Sequence, residues 1–512
     1  MQTPLHSSNK IYSVKNLIKL IIIGLLIMAM PGCKKIDVTD VYITKDTTIY
    51  RDTTIIDTTV AMSSYVNSLY LIGDVVIWHD TTINDNWVVA PSTPIIWTGK
   101  GHIHGSGSLV GGIFTAARTQ WLFDSTFSVY PASTSDGVFS ICWYGANPKN
   151  TDNGEDIRKT ILTGILDGQA FREINTPLGT YNYHSTVNIA NKYDGQYTAV
   201  TLLLTGSTGG VEDESNGSCW NYLDDTGTAI NLQRNKGTTI NGLKISGQFK
   251  PPSTTPALTY YFLTMQQFLG TKDSLNYAGI TIDRYADGGQ GGSTACQFIN
   301  VWCSNFATCF LTSPNGYTQN AEDMIWDRDR IDNCVIGWSS NQPQEKNNSI
   351  TNLFSWSECY YVIAGNQFGN KGVGQYTVDG ANIAGSAINF ITIEPSGWFE
   401  WNMYNIYAES IGAVGFVGTE VPILLEGSEF DFADLGASGN KRNLLYMYNF
   451  VRNGGDVVFQ NDMFRIYNGS YATDTLNIQS NGTFNNSQFW GKVINGMTAT
   501  YNNTTEWDNI LL

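Results

Sequence analysis

Residues 298–311 (FINVWCSNFATCFL), 323–336 (DMIWDRDRIDNCVI) and 348–361 (NSITNLFSWSECYY) lie over one another at a spacing of 25 residues without gaps. Cys309, Cys334 and Cys359 align; Phe306, Ile331 and Trp356 stand before them, and Leu311, Ile336 and Tyr361 after them, at constant offsets. A repeat of this length marks a solenoid, in which no unit buries its apolar face alone and each must stack on its neighbours. The apolar residues come in short runs rich in Val, Ile, Phe, Tyr and Trp, broken by Asn, Gly, Ser and Asp, as strands and turns are. The repeat lacks amphipathic stretches of helical length, which sets helical solenoids aside. The expectation is an all-β chain, a parallel β-helix with about three short strands per coil and Cys, aromatic and aliphatic side chains stacked inside.

Composition agrees. The 512 residues include 51 Gly, with 14% charged and 12% aromatic, which suits one long solenoid better than several globular domains. The formal charge is -16, from 45 acidic and 29 basic residues. Such a surface repels nucleic acid and anionic membrane, and it repels polyanionic glycans unless cations or local basic patches intervene.

Residues 1–33 read as a processing segment rather than as fold. Lys10, Lys15 and Lys19 precede an apolar run from Leu20 to Met30, followed by Pro31-Gly32-Cys33. The run is too short to span a bilayer as a mature helix, and its layout resembles a bacterial lipoprotein signal with Cys33 as the lipidated residue. That places the protein in the cell envelope, as an outer-membrane lipoprotein on the periplasmic or surface side. Residues 34–62, with Asp46-Thr47-Thr48-Ile49 and Asp52-Thr53-Thr54-Ile55, read as a Thr/Asp-rich spacer. Of the seven remaining cysteines, Cys309, Cys334 and Cys359 are best taken as an interior stack of small apolar groups. No Cys-x-x-Cys pair suggests structural zinc.

Residues 63–140 carry short strands and frequent turns in an N-terminal β-rich subdomain. His102 and His104 would share one strand face, but with no third His nearby a polar strand edge is favoured over a metal pair. Next come Trp143-Tyr144-Gly145-Ala146, then Asp152-Asn153-Gly154-Glu155-Asp156, a helical pattern through Ile157, Ile161 and Ile165, and Pro177-Leu178-Gly179-Thr180-Tyr181. This series resembles the opening segment of pectate-lyase-superfamily proteins, in particular the branch with phage tailspike-like depolymerases. The resemblance implies a right-handed parallel β-helix whose N-terminal end is covered by a short capping helix, activity on polysaccharide, and a homotrimer as one assembly it leaves open. Charge placement supports the helix independently, since Glu155 and Asp156 lie in its first turn, where negative charge is favoured. The solenoid is expected over 141–420, with further coils or a β-cap over 421–512.

Chemistry is sought where ionisable residues crowd. Asp327, Arg328, Asp329, Arg330 and Asp332 form the densest cluster, and strict alternation about an inward Ile331 would send Arg328, Arg330 and Asp332 to one outward face. Arg beside carboxylates suits glycan chemistry: Arg neutralises a uronate, and in lyases of this fold an Arg or Lys takes the adjacent proton, whereas paired carboxylates serve hydrolysis. Asp283 and Tyr285 would line the same groove one or two coils earlier. Glu400, flanked by Trp398 and Trp401, reads as an acid among exposed aromatics on which sugars stack. The competing reading of each cluster is a solvated, salt-bridged coil edge. No Ser-His-Asp order or phosphate-binding loop is present, and no cofactor is implied, with calcium alone left open. The chain is thus read as a polysaccharide lyase or glycoside hydrolase, the alternative being a non-catalytic glycan-binding or adhesive surface protein.

Overall fold

The computed structural model describes residues 69–71, 75–166, 173–190 and most of 192–507; segments 1–68, 208–216, 250–275, 283–292, 313–320, 366–372, 394–397, 433–443, 451–456, 467–474 and 508–512 are among those outside it. The described residues divide into two compact units, one ending at Ser135 and the other running from Asp136 with a short piece, Ala117–Trp121. Among the described residues no helix is long and apolar enough to cross a membrane.

The first unit is already coiled. Strands Asn86–Val89, Ser108–Val110 and Ser128–Tyr130 stack in parallel, with Trp87, Leu109 and Val129 on successive rungs. Val75–Ile77, Pro94–Trp97 and Ile113–Thr115 stack beside them, and Asp80–Thr82 pairs with His102–His104 on a third line. Trp97, Phe114 and Phe123 meet edge to face inside. The stretch read as short strands with frequent turns is therefore a stack of coils.

In the second unit two long parallel sheets, of 13 and 17 strands, run side by side. Along the 13-stranded sheet one inward position is filled in turn by Phe139, Ile174, Leu204, Ile240, Phe298, Trp326, Ile350, Val378, Met403, Leu425, Phe459 and Phe484. All twelve are buried, and stacked rings such as Phe298 on Trp326 (5.6 Å) and Phe459 on Phe484 (4.5 Å) add to the burial of apolar area. The matching position of the 17-stranded sheet carries Ile245, Cys303, Ile331, Ile383, Ala408, Phe430, Phe464 and Phe489.

Within the thiol ladder the 25-residue spacing holds for only one of the two steps. Cys334 pairs with Cys359 at that distance, but Cys303 pairs with Ile331 and Phe310 with Trp338, both 28 apart. Strand pairing therefore does not place Cys309 opposite Cys334. Their thiols nevertheless meet inside the coil, where Cys309 hydrogen-bonds both Cys303 and Cys334. The side chain of Cys359 lies outside the described set.

Coil length varies because the turn, not the loop, carries the register. From the strand Thr239–Asn241 onward, each passage from the 13-stranded to the 17-stranded sheet is made at a single left-handed residue: Gly242, Asn300, Arg328, Asn352, Gly380, Asn405, Gly427, Asn461, Asn486 and Asn503, with φ from 49° to 71°. Gly adopts this conformation freely and Asn at reduced cost, whereas other L-residues lose about 1–2 kcal/mol. The amide of the turn residue donates to the next coil, as Asn300 N to Asp327 O (3.0 Å), Asn352 N to Asp379 O (2.8 Å) and Asn461 N to Asn485 O (2.9 Å).

The residue after the turn is buried at nine of these ten corners. At Asp329, Ser428 and Asp462 its side-chain oxygen accepts a backbone N–H from the preceding coil: Val301 N (2.7 Å), Ile406 N (3.2 Å) and Ser428 N (2.7 Å). Burial, with a contribution from Glu426, pushes the Asp462 carboxyl up to about 7 against the hydrogen bonds from Ser428 and Gln460. In the unfolded chain that group ionises near pH 4, so the folded protein holds a proton which the unfolded one releases between roughly pH 4 and 7. This contribution to stability is complete below pH 4 and declines as pH rises through 7. Asp462→Asn keeps the acceptor and removes the titration, so its unfolding midpoint should match the parent at pH 4 and exceed it at pH 8, by on the order of 2–4 kcal/mol. Thermal melts at the two pH values check this, and an equal effect at both would show that Asp462 is ionised in the fold.

Candidate functional site

Around Ile331 the turn at Arg328 breaks the alternation that sequence reading assumed. Asp327 ends a strand of the 13-stranded sheet, Arg328 forms the corner, and Arg330–Ser340 begins in the 17-stranded sheet. Asp327 Oδ1 accepts from Thr351 Oγ1 and Asn352 Nδ2 (both 3.0 Å), and Arg328 Nε donates to Oδ2 (2.9 Å). Partial burial would raise this carboxyl, yet the bonds from Asn352, Thr351 and Arg328 hold it below the usual range. Arg328 is exposed, and it alone in the turn series is neither Asn nor Gly.

Asp329 is only 1% exposed and lies inside the corner, where burial keeps it protonated well above the usual carboxylate range. This corrects its assignment to a catalytic groove. Arg330 is also buried, at 8%, because its guanidinium lies over the Trp302 ring (3.8 Å to the centroid) one rung away. From the rung on the other side Lys244 Nζ approaches the same ring at 3.7 Å. Trp302 Nε1 donates to Asp332 Oδ2 (3.0 Å), and Arg330 Nη2 stands 3.5 Å from that oxygen. Burial pushes Asp332 up to about 6 in spite of Arg330, Trp302 and Lys244. The five residues grouped by sequence thus separate into an exposed corner pair, a buried structural acid, and a two-cation stack on Trp302. Lys244 and Trp302 were missed because no constant spacing links them to Arg330.

A second cluster occupies the same outward face several coils on. Tyr407 and Glu429 are register neighbours, as are Asp431 and Arg465, and Arg465 and Trp490. Arg465 grips Asp431 through Nε and Nη2, and Nη2 also reaches Glu429 Oε1 at 2.6 Å. Asp431 is fully buried, while Glu429 and Arg465 remain about one-third exposed and Trp490 is 37% exposed. Burial, then Glu409, Asp431 and Glu429, raise the Tyr407 hydroxyl, which stays a proton donor. Two partly exposed carboxylates, Glu409 and Glu429, with a phenol and an aromatic ring on the strand face, can bind and polarise a hydroxylated ligand. None of these residues is among the site residues expected from the sequence.

Trp401 is fully buried, stacked on Tyr376 at 4.3 Å and 6°, so it belongs to the core and not to an exposed sugar platform. Trp398 and Glu400 lie on its strand, in register with Val373 and Gln375, but their side chains are outside the described set. Asp283, Tyr285 and Cys33 lie outside the described residues altogether. In the first unit His102 meets acids from both neighbouring rungs, Asp124 (3.3 Å) and Asp80 (3.9 Å), while His104 bonds Thr82 Oγ1 (2.6 Å). Among the described residues no group of three or more His, Cys, Asp or Glu is arranged to hold a metal ion.

No family model matches the chain, and no curated protein matches it. Solved structures similar to it include the enzymatically active domain of tailspike protein 2 from bacteriophage CBA120, at 12% identity over 69% of this chain and 46% of that one, with a TM-score of 0.37. The chain thus spans about half the length of that tailspike domain. A lidless DFA-IIIase from Arthrobacter chlorophenolicus is 14% identical over 73% of this chain and 93% of its own, with a TM-score of 0.40. The catalytic unit of an α-1,3-glucanase from Streptomyces thermodiastaticus is 12% identical over 73% and 68%, with a TM-score of 0.35.

Arg328 in a left-handed turn has a measurable consequence. Arg328→Asn should raise stability by about 1 kcal/mol, net of the weak exposed pair with Asp327, while Arg328→Ala should not. Denaturant titration checks this, and no difference between the two variants would show that the corner is unstrained.

Proposed function

We propose that the protein is an exported cell-envelope lipoprotein, anchored through Cys33, that acts on polysaccharide along the outward face of the 17-stranded sheet. One observation carries this reading: the two outward rows next to the turn hold Lys244, Trp302, Arg330 and Asp332 at one end and Tyr407, Glu409, Glu429, Asp431, Arg465 and Trp490 further along. Rungs about 4.8 Å apart present such groups to an extended chain better than to a small compact ligand. In this reading the solenoid is right-handed. The helix Gly154–Leu166, with Ile157, Ile161 and Ile165 buried, closes its first coil.

Of the two chemistries, hydrolysis has the better support. Arg330, which an elimination would need as the base at a substrate proton, is covered and paired. Glu409 and Glu429 supply the carboxylates from which an acid and a base or nucleophile are drawn. The burial of Arg330 and Asp332 also favours a second reading, a non-catalytic glycan-binding face that these residues only stiffen.

Protein lacking residues 1–33, incubated with a glycan panel, should release reducing ends without absorbance from unsaturated uronates. Glu429→Gln should cut that rate by roughly 10²–10⁴-fold. Unsaturated products lost in Arg328→Ala would move the chemistry to elimination at the corner, and binding without turnover across the panel would establish the second reading.

A further inference from the structure

We propose that Cys303 and Cys309 are a disulfide-forming pair, joined as the chain folds in contact with a disulfide oxidant and then sealed inside the solenoid. The proposal stands apart from the glycan reading and draws only on the thiol cluster of the core.

The two residues flank one corner. Cys303 lies in the strand Trp302–Ser304 and Cys309 in Thr308–Thr312, while Asn305 between them is left-handed at φ 61° and its Nδ2 donates to Ser246 Oγ (3.0 Å). The contacts across the corner are reciprocal: Cys309 Sγ lies 3.2 Å from Cys303 O, and Cys303 Sγ lies 3.7 Å from Cys309 O. The two thiols are also hydrogen-bonded to each other. Each sulfur thus rests against the residue that bears the other, so a bond between them asks for side-chain rotation and not for movement of the backbone. Gly279 makes the room. It lies between the register pairs Ala278–Thr308 and Ile280–Phe310, and a Cβ placed on it would stand 2.2 Å from Cys303 Sγ.

The chemistry assigns an order to the sulfurs. Burial would raise the Cys309 thiol, but hydrogen bonds from Cys303, Cys334 and the Asp332 backbone outweigh it and hold the group below its ordinary value. Cys309 is therefore the first to attack. Its thiolate displaces one thiolate from a small disulfide such as oxidised glutathione, giving a mixed disulfide; the Cys303 thiolate then attacks the Cys309 sulfur and expels the second. Two protons and two electrons pass from the protein to the oxidant, which ends as two molecules of thiol.

Timing favours this pair over Cys309 and Cys334. Cys303, Cys309 and Cys334 are all fully buried in the finished fold, so oxidation has to precede burial. Cys303 and Cys309 are six residues apart on one coil, whereas Cys334 arrives with the next, in the strand that pairs with both of theirs. The shorter loop closes sooner and at lower entropic cost.

Cell-free synthesis of the full chain with either oxidised glutathione or a phosphine reductant, followed by alkylation in denaturant and peptide mass mapping, tests this. The chain made with oxidised glutathione should carry two fewer alkylated thiols. Its fragments cut after Phe306 should stay linked through Cys303 and Cys309 until reduced. Protein folded under reductant and only then given oxidised glutathione should acquire the link at least tenfold more slowly. Cys334→Ala should keep the link, and Cys303→Ala and Cys309→Ala should lose it. The linked form should unfold less readily in urea, with its equilibrium shifted about tenfold or more toward the native state. Full alkylation after oxidative synthesis overturns the proposal, and so does a link from Cys309 to Cys334 in place of Cys303. The peptide map of the parent chain decides between these outcomes even where a variant fails to fold.

Discussion

The left-handed turn between the two long sheets is the constraint on which the second unit depends. It does two things in one residue: its φ reverses the chain from one sheet into the next, and its amide bonds the coil beyond. A coil with a right-handed residue there would lose its corner and the rung alignment of every side chain after it. Nine of the ten described corners of this series are Asn or Gly, the residues for which this backbone costs least. Stacked aromatic rings contribute more free energy in total, but they can stack only because the corners bring them to the same height.

The corner also explains the buried acids. The residue following the turn faces inward, where a backbone N–H of the preceding coil lacks a strand partner. Leaving that donor unsatisfied would cost about 1–3 kcal/mol, so an oxygen-bearing side chain is tolerated where an apolar one would be expected. Asp329 fills this place as a neutral carboxyl and Asp462 as one that is neutral below about pH 7, for burial raises both. They are structural groups despite titration behaviour that resembles that of catalytic acids, and geometry rather than pKa separates them from Glu409 and Glu429 on the open face.

Much of the architecture was legible in the sequence: an all-β chain, parallel stacking, and Cys334 over Cys359. The register was legible too, though from a different signal than the thiol ladder. Gly242-Leu243-Lys244-Ile245-Ser246, Asn300-Val301-Trp302-Cys303-Ser304, Asn405-Ile406-Tyr407-Ala408-Glu409 and Asn461-Asp462-Met463-Phe464-Arg465 share one pattern: turn residue, buried residue, outward, inward, outward. Anchoring on that pattern aligns Trp302 with Arg330 and Asp431 with Arg465. A fixed period cannot, because the loops that close each coil differ in length and contribute nothing to register. Arg328 hides the pattern at the very coil where charge drew attention, since Arg is not a residue expected in a left-handed turn. Trp401 misled for a related reason: beside Glu400 it reads as a sugar platform, and only its rung with Tyr376 shows it to be core.

The same pattern tells where function can reside. The inward positions are fixed by packing and the corner by backbone geometry, which leaves the two outward positions after each corner open to variation. They are also the best-positioned side chains on the solenoid, two and four residues beyond the left-handed turn residue. Groups placed there need little reorganisation to act together, since strands and not loops hold them. Lys244, Trp302, Arg330 and Asp332 use these positions to build a closed, mutually satisfied stack. Glu409, Glu429, Asp431, Arg465 and Trp490 use the equivalent positions to build an open one with surplus negative charge. One scaffold thus carries both a covered electrostatic clamp and an accessible acidic face, and the difference lies in which side chains follow the corner, not in the corner itself.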